Sequence, residues 1–170
     1  PETIQGIAWR KNRQTINAGK RPVMRDLDTL PLPAWDMVDF ESYRKLWIGK
    51  TGYFSINMVT TRGCTYKCNW CAKPMYGNNY NMRSPQNVIR ELKLMKQLFN
   101  YDHIWFCDDI FGLKPGWVEE FANAVRDENL TFKFKIQTRV DLLLEENTIE
   151  LLAAAGCETA WVGAESGSQK

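Results

Sequence analysis

From Tyr53 onward the chain alternates short apolar runs with helical stretches, and few folds admit that rhythm. Tyr53–Thr60, His103–Cys107, Thr131–Thr138 and Thr159–Ala164 read as strands. Ser84-Pro85 supplies an N-cap and a proline for the first helical position. Val88, Ile89, Leu92, Met95 and Phe99 then recur at helical spacing up to Asn100. A second helix spans Pro115–Glu128, and a third spans Glu145–Ala155 with Gly156 as its cap. Strand, helix, strand in this order implies an α/β fold with a parallel sheet and right-handed crossovers. Such a sheet is either doubly wound or part of a (β/α) barrel, and both place chemistry at the carboxyl ends of their strands.

The unusual polar residues gather at those ends. Three cysteines follow the first strand, Asp108-Asp109 the second, Arg139 the third and Glu165 the fourth. The segment before Tyr53 has a different character. Residues 3–18 read as a hairpin turning on Lys11–Arg13, and Pro22, Pro31 and Pro33 punctuate residues 19–50 as a linker or strap. A short amphipathic helix fits around Trp35–Leu46. The expected division is therefore 1–50, a hairpin and linker, and 51–170, the α/β unit. A start at Pro1 and a stop at Lys170 suggest a fragment with further sequence on both sides.

Lys plus Arg number 22 and Asp plus Glu 20, so a net charge of +2 offers no bulk attraction for nucleic acid or an anionic membrane. No apolar run approaches the roughly 20 residues that span a bilayer, and no signal peptide is read. A cytoplasmic setting is expected. Five cysteines, three of them within eight positions, suit a metal site in a reducing compartment better than a disulfide scaffold.

Cys64, Cys68 and Cys71 are spaced C-x3-C-x2-C. Thiolates are soft ligands suited to iron–sulfur clusters or zinc. Three of them can hold three irons of a cubane and leave the fourth open to a small chelating ligand. The alternatives are a closed zinc site, completed by Cys107, Cys157 or His103, and three buried cysteines without metal. A polar, glycine-containing loop (Arg62-Gly63-Cys64-Thr65-Tyr66-Lys67) is poor core patterning, which favours the cluster.

The segment TTRGCTYKCNWC resembles the cluster loop of the radical S-adenosylmethionine superfamily, with Trp70 as the aromatic before its last cysteine. FCDDIFG, QTRVDLL, LLAAAGCETAWVGAESGS and the upstream DLDTLPLPAWDMVD are similar to its cobalamin-binding branch, which includes the magnesium-protoporphyrin ester cyclases. The resemblance covers nearly the whole chain. It implies a partial TIM-type (β/α) barrel, of which the first four strands are present, and a [4Fe–4S] cluster on Cys64, Cys68 and Cys71. That cluster would cleave S-adenosylmethionine reductively to a 5′-deoxyadenosyl radical.

By the same resemblance Trp70 lies near the adenine, Asp108 and Asp109 near the methionine amino group, and Glu165 and Ser166 near the ribose. Arg139 either meets the methionine carboxylate or forms a salt bridge to Asp141 or Glu165. A cobalamin domain would precede the chain, although no D-x-H-x-x-G ligand motif occurs within it. The implied chemistry is methylation or ring formation on a small-molecule substrate, with a flavodoxin or ferredoxin as electron donor. A tRNA methylthiotransferase-type enzyme, a non-catalytic iron–sulfur protein and a zinc module remain as alternatives.

Overall fold

The computed structural model describes residues 1–71 and 76–168; the last two positions of the 51–170 unit lie outside them. The chain opens with an antiparallel hairpin, β1 (Ala8–Lys11) and β2 (Gln14–Asn17). Its turn uses Asn12 and Arg13 at φ of 51° and 65°. Positive φ at both central positions is the turn geometry whose twist matches paired strands. Trp9 faces Ile16 across the ladder, and these two are the half-buried residues of the hairpin strands.

Residues 26–39 form a strap held at three points. Asp26 caps a short turn at Leu27–Thr29, which drops Leu27 into the interior at 3% exposure. The Asp28 carboxylate accepts from the Ser84 amide at 3.0 Å. Trp35 donates its indole N–H to Glu91 at 2.8 Å and packs against Phe40 and Phe99. The expected amphipathic helix is displaced: α1 spans Phe40–Thr51 and buries none of its residues. Asp39 accepts from the Ser42 amide and starts the helix there, while a separate turn occupies Trp35–Met37.

The central unit begins with β3 (Ser55–Met58), followed by a two-residue antiparallel pair, β4 (Thr61–Arg62) and β5 (Asn81–Met82). Then come α2 (Pro85–Phe99), β6 (His103–Phe106), α3 (Trp117–Asp127) and β7 (Lys133–Thr138). The short α4 (Val140–Leu143), α5 (Thr148–Ala154) and β8 (Cys157–Val162) complete it. The expected third helix, Glu145–Ala155, is narrowed to α5, with α4 as a separate turn before it, and the last strand starts two residues early.

Strands β3, β6, β7 and β8 form one parallel sheet in that order. A sequential order has no reversal point, so right-handed crossovers lay every helix on the same face. This settles the choice left by the sequence: the sheet is a barrel segment, not a doubly wound sheet.

Between sheet and helices lies one apolar core. The strands supply Ile56, Met58, Ile104, Phe106, Phe134 and Ile136, alternate residues that all point to the helical face. Helix α2 adds Val88, Ile89, Leu92, Met95 and Phe99; α3 adds Trp117, Phe121 and Val125. Each such side chain, fully buried, is worth about 1.5–3 kcal/mol. Phe106, Phe111, Phe121 and Phe134 interlock, with Phe106 and Phe121 edge to face at 5.9 Å. Gly156 lets β8 enter this packing, since its φ is 103° and an added Cβ would lie 2.3 Å from the Phe132 carbonyl oxygen.

No helix among the described residues is long and apolar enough to cross a membrane. Phe134 touches four other phenylalanine rings at zero exposure, so Phe134→Ala is expected to cost about 3–5 kcal/mol in urea unfolding of the full chain.

Candidate active site

The cysteine loop leaves the carboxyl end of β3 and is closed at its base by the β4–β5 ladder, where Thr61 faces Met82 and Arg62 faces Asn81. Its outgoing and returning legs touch at Gly63. That residue has φ +85°, and a Cβ there would stand 2.0 Å from the Asn79 carbonyl oxygen. No side chain fits without moving the returning leg.

A buried carboxylate holds the outgoing leg in place. Asp108, just beyond β6, is 2% exposed and accepts from the Thr60 amide at 2.7 Å, the Thr60 hydroxyl at 2.5 Å and the Thr61 amide at 2.9 Å. Burial raises this carboxyl from its ordinary 3.8 to about 6, against the opposing pull of the Thr60 and Thr61 hydrogen bonds. Arg83 fastens the other side. Its amide donates to the Thr60 carbonyl at 2.9 Å and its guanidinium to the Val59 carbonyl at 3.2 Å. The same guanidinium reaches Asn87 at 2.7 Å and pairs with buried Glu91 at 2.5 Å. The strap joins this network through Trp35 and Glu91.

Within the loop Cys64 is buried, whereas Cys68 and Cys71 are exposed; all three are free thiols, and the Cys71 amide donates to the Cys68 carbonyl at 3.3 Å. Among the described residues no three His, Cys, Asp or Glu side chains stand close enough to hold a metal ion. One loop carries the three sulfurs, and the metal supplies the attraction that draws such ligands together. The donor set fits a cluster. Residues 63–80 contain these three cysteines and no histidine. His103 and Cys157 open their strands, at the far end of the sheet, and the His103 ring is bonded to the Ser55 hydroxyl at 2.8 Å. They stand apart from the loop as partners for a closed four-ligand zinc site. Cys107 lies at the carboxyl end of β6, but burial and neighbouring Asp108 raise its pKa and disfavour the thiolate.

The other expected residues also sit at the carboxyl ends. Asp109 is exposed and has no hydrogen-bond or ion-pair partner among the described residues, so the aspartate pair divides into one buried and one available carboxylate. Arg139 pairs bidentately with Asp141, two of the contacts at 2.9 Å, and lies 4.1 Å from the Tyr66 ring centroid. It forms no ion pair with Glu165. Glu165 and Ser166 are exposed beyond β8, where the Ser166 hydroxyl accepts from the Ser168 amide at 3.0 Å. Trp70 is 72% exposed on the loop. Sequence reasoning missed Thr60, Thr61, Tyr66 and Arg83, whose roles come from contacts between residues far apart in the chain. Gly63 alone carried a signal, as a glycine directly before the first cysteine.

Gly63→Ala is expected to push the loop legs apart and lower the iron bound per chain after reconstitution, with the far-ultraviolet circular dichroism unchanged. The Asp108 carboxyl has a second consequence. Its folded pKa lies above the ordinary value, so its stabilising contribution is complete below 3.8 and is lost as pH rises through about 6. Wild-type stability relative to Asp108→Asn is therefore expected to increase by about 3 kcal/mol between neutral and acid pH in urea titrations.

Residues 58–170 match the profile of the Radical SAM superfamily. An uncharacterised methyltransferase of Pyrococcus horikoshii is 26% identical over 98% of this chain and 35% of its own length. The anaerobic magnesium-protoporphyrin IX monomethyl ester cyclase of Synechocystis sp. is 24% identical over 96% of this chain and 32% of its own. The chain thus spans about a third of the length of these curated relatives. Among solved structures, the radical S-adenosylmethionine methyltransferase TsrM of Kitasatospora setae, with cobalamin and a [4Fe–4S] cluster bound, has the same fold. Its TM-score is 0.67 at 19% identity, covering 96% of this chain and 33% of that one. The profile match takes in the cysteine loop and strands β6, β7 and β8, and the chain belongs to the Radical SAM superfamily of enzymes.

Proposed function

We propose that Cys64, Cys68 and Cys71 hold a [4Fe–4S] cluster and that S-adenosylmethionine binds beside it, across the carboxyl ends of β6, β7 and β8. The observation that carries this reading is three free thiols on one loop, with no fourth cysteine or histidine in it, at the chemically competent end of a parallel sheet. When bound, the cluster supplies one electron to the sulfonium, whose C5′–S bond breaks to give methionine and a 5′-deoxyadenosyl radical. The chain's own residues bind, orient and shield.

Asp108, through Thr60 and Thr61, fixes where the loop leaves the sheet. Asp109 is the aspartate available to the methionine ammonium, which divides the pair into a positioning and a binding residue. Arg139 meets the methionine carboxylate by a charge-assisted bond, for which Asp141 is its resident competitor. Trp70 lies along the adenine, and Glu165 and Ser166 take the ribose hydroxyls.

The finer reading is cobalamin-dependent methylation or ring formation on a small-molecule substrate. Its support is the similarity to a cyclase and to a methyltransferase solved with cobalamin, both extending over the hairpin and strap. Residues 1–50 would then join a corrinoid-binding domain to the barrel, and a flavodoxin or ferredoxin would deliver the electron.

The test uses the full-length protein, purified without air and reconstituted with iron and sulfide. Four irons per chain and 5′-deoxyadenosine formed from S-adenosylmethionine with dithionite are expected. Cys64→Ala, Cys68→Ala and Cys71→Ala should each reduce that product to background. Zinc as the sole bound metal would establish the zinc module instead, and a cluster that leaves S-adenosylmethionine intact would establish an electron-transfer protein.

A further inference from the structure

Opposite the helices the sheet has a second face, and its polar groups are unbalanced. Asn57, Trp105, Lys135 and Thr159 lie in one row across β3, β6, β7 and β8. The Lys135 ammonium stands 3.9 Å from the Trp105 ring centroid and 4.8 Å from that of Trp161. The two indoles meet edge to face at 5.5 Å. Indole faces attract and position an ammonium but leave its N–H donors without an acceptor. Among the described residues no carboxylate pairs with Lys135, and Glu158 of β8 is taken by Lys133 at 3.4 Å. The Trp105 indole N–H is also buried without a hydrogen-bond partner among them. Two neighbouring donor groups lack the same thing, an acceptor oxygen.

Their place in the fold connects them to the site. Lys135, Gln137 and Arg139 follow one another at every second position of β7 and its continuation, so they share a face. At about 3.3 Å per residue, Lys135 lies about 13 Å below Arg139, the length of a small organic molecule. Arg139 itself stacks on Tyr66 of the cysteine loop.

We infer that Lys135 anchors the substrate by an anionic oxygen group, a carboxylate or a phosphate, between the walls formed by Trp105 and Trp161. The substrate class of this enzyme is then anionic, its charged end held deep on the sheet and its reacting end raised toward the loop. This rests on the proposed function, which makes this face the wall of the reaction chamber.

The test is binding to the full-length protein without turnover, using benzoate, phenyl phosphate and the uncharged benzamide, followed by tryptophan fluorescence and calorimetry. At least one anion is expected to bind about tenfold or more tighter than benzamide, because the anion adds a charge-assisted contact to the ammonium. Whether benzoate or phenyl phosphate is preferred identifies the carboxylate or the phosphate. The preference should vanish in Lys135→Met, which keeps the unbranched stem, and survive in Lys135→Arg. Equal binding of all three probes, no saturable binding of either anion, or an anion preference retained in Lys135→Met would overturn the inference. A fall in melting temperature in Lys135→Met, without anion binding to wild type, would show the ammonium paired within the protein and overturn it equally. Iron binding and release of 5′-deoxyadenosine are read separately in the wild-type protein, where their failure would count against the proposed function and not against the anion site.

Discussion

Four parallel strands laid down in chain order, with every crossover helix on one face, impose the arrangement on which all else depends. That order sends each strand's carboxyl end to the same rim, so the segments after β3, β6, β7 and β8 must share it. It also leaves the opposite face of the sheet free of helices. The core explains why the order holds: Phe106, Phe121 and Phe134 come from two strands and a helix, yet their rings form one interlocked set. The strands that reach the rim are therefore fixed by one packed core.

Two buried carboxylates connect that frame to the loop. Asp108 and Glu91 are both nearly inaccessible, and a charge so placed is costly unless it is fully partnered. Asp108 takes three hydrogen bonds from the residues that lead into the cysteine loop, while Glu91 joins Arg83 to Trp35 of the strap. Arg83 bridges the two systems, since it holds both Glu91 and the carbonyls of Val59 and Thr60. The strap thus reaches the loop through Arg83, beside the bond from the Ser84 amide to Asp28. That is a physical route by which the first forty residues bear on the site.

Most of the frame was legible in the sequence. Period-two and helical patterns located the four parallel strands and both long helices, because burial on one face leaves a periodic mark. The cysteine spacing and the polar residues after each strand marked the rim for the same reason: they are local signals. What stayed hidden was pairing across the chain. Nothing near Asp108 tells that it bonds Thr60 rather than a ligand, and nothing near Arg139 tells that it stacks on Tyr66 while pairing with Asp141. The start of α1 was misplaced because Trp35 looked like the first residue of an amphipathic face. Its indole instead serves Glu91, and the Asp39 cap sets the helix start. The third helix was expected from Glu145, but Asn147 takes a left-handed φ of 61° and α5 starts at Thr148, while the short α4 before it left no periodic mark.

The central claim is that three thiolates hold a cubane and leave one iron open to S-adenosylmethionine. The Mössbauer spectrum of the intact protein loaded with iron-57 tests it most directly. The account predicts that adding S-adenosylmethionine changes the parameters of one iron in four and leaves the other three in place. Four irons that remain equivalent with and without the nucleotide, or a protein that takes up no iron, would contradict it.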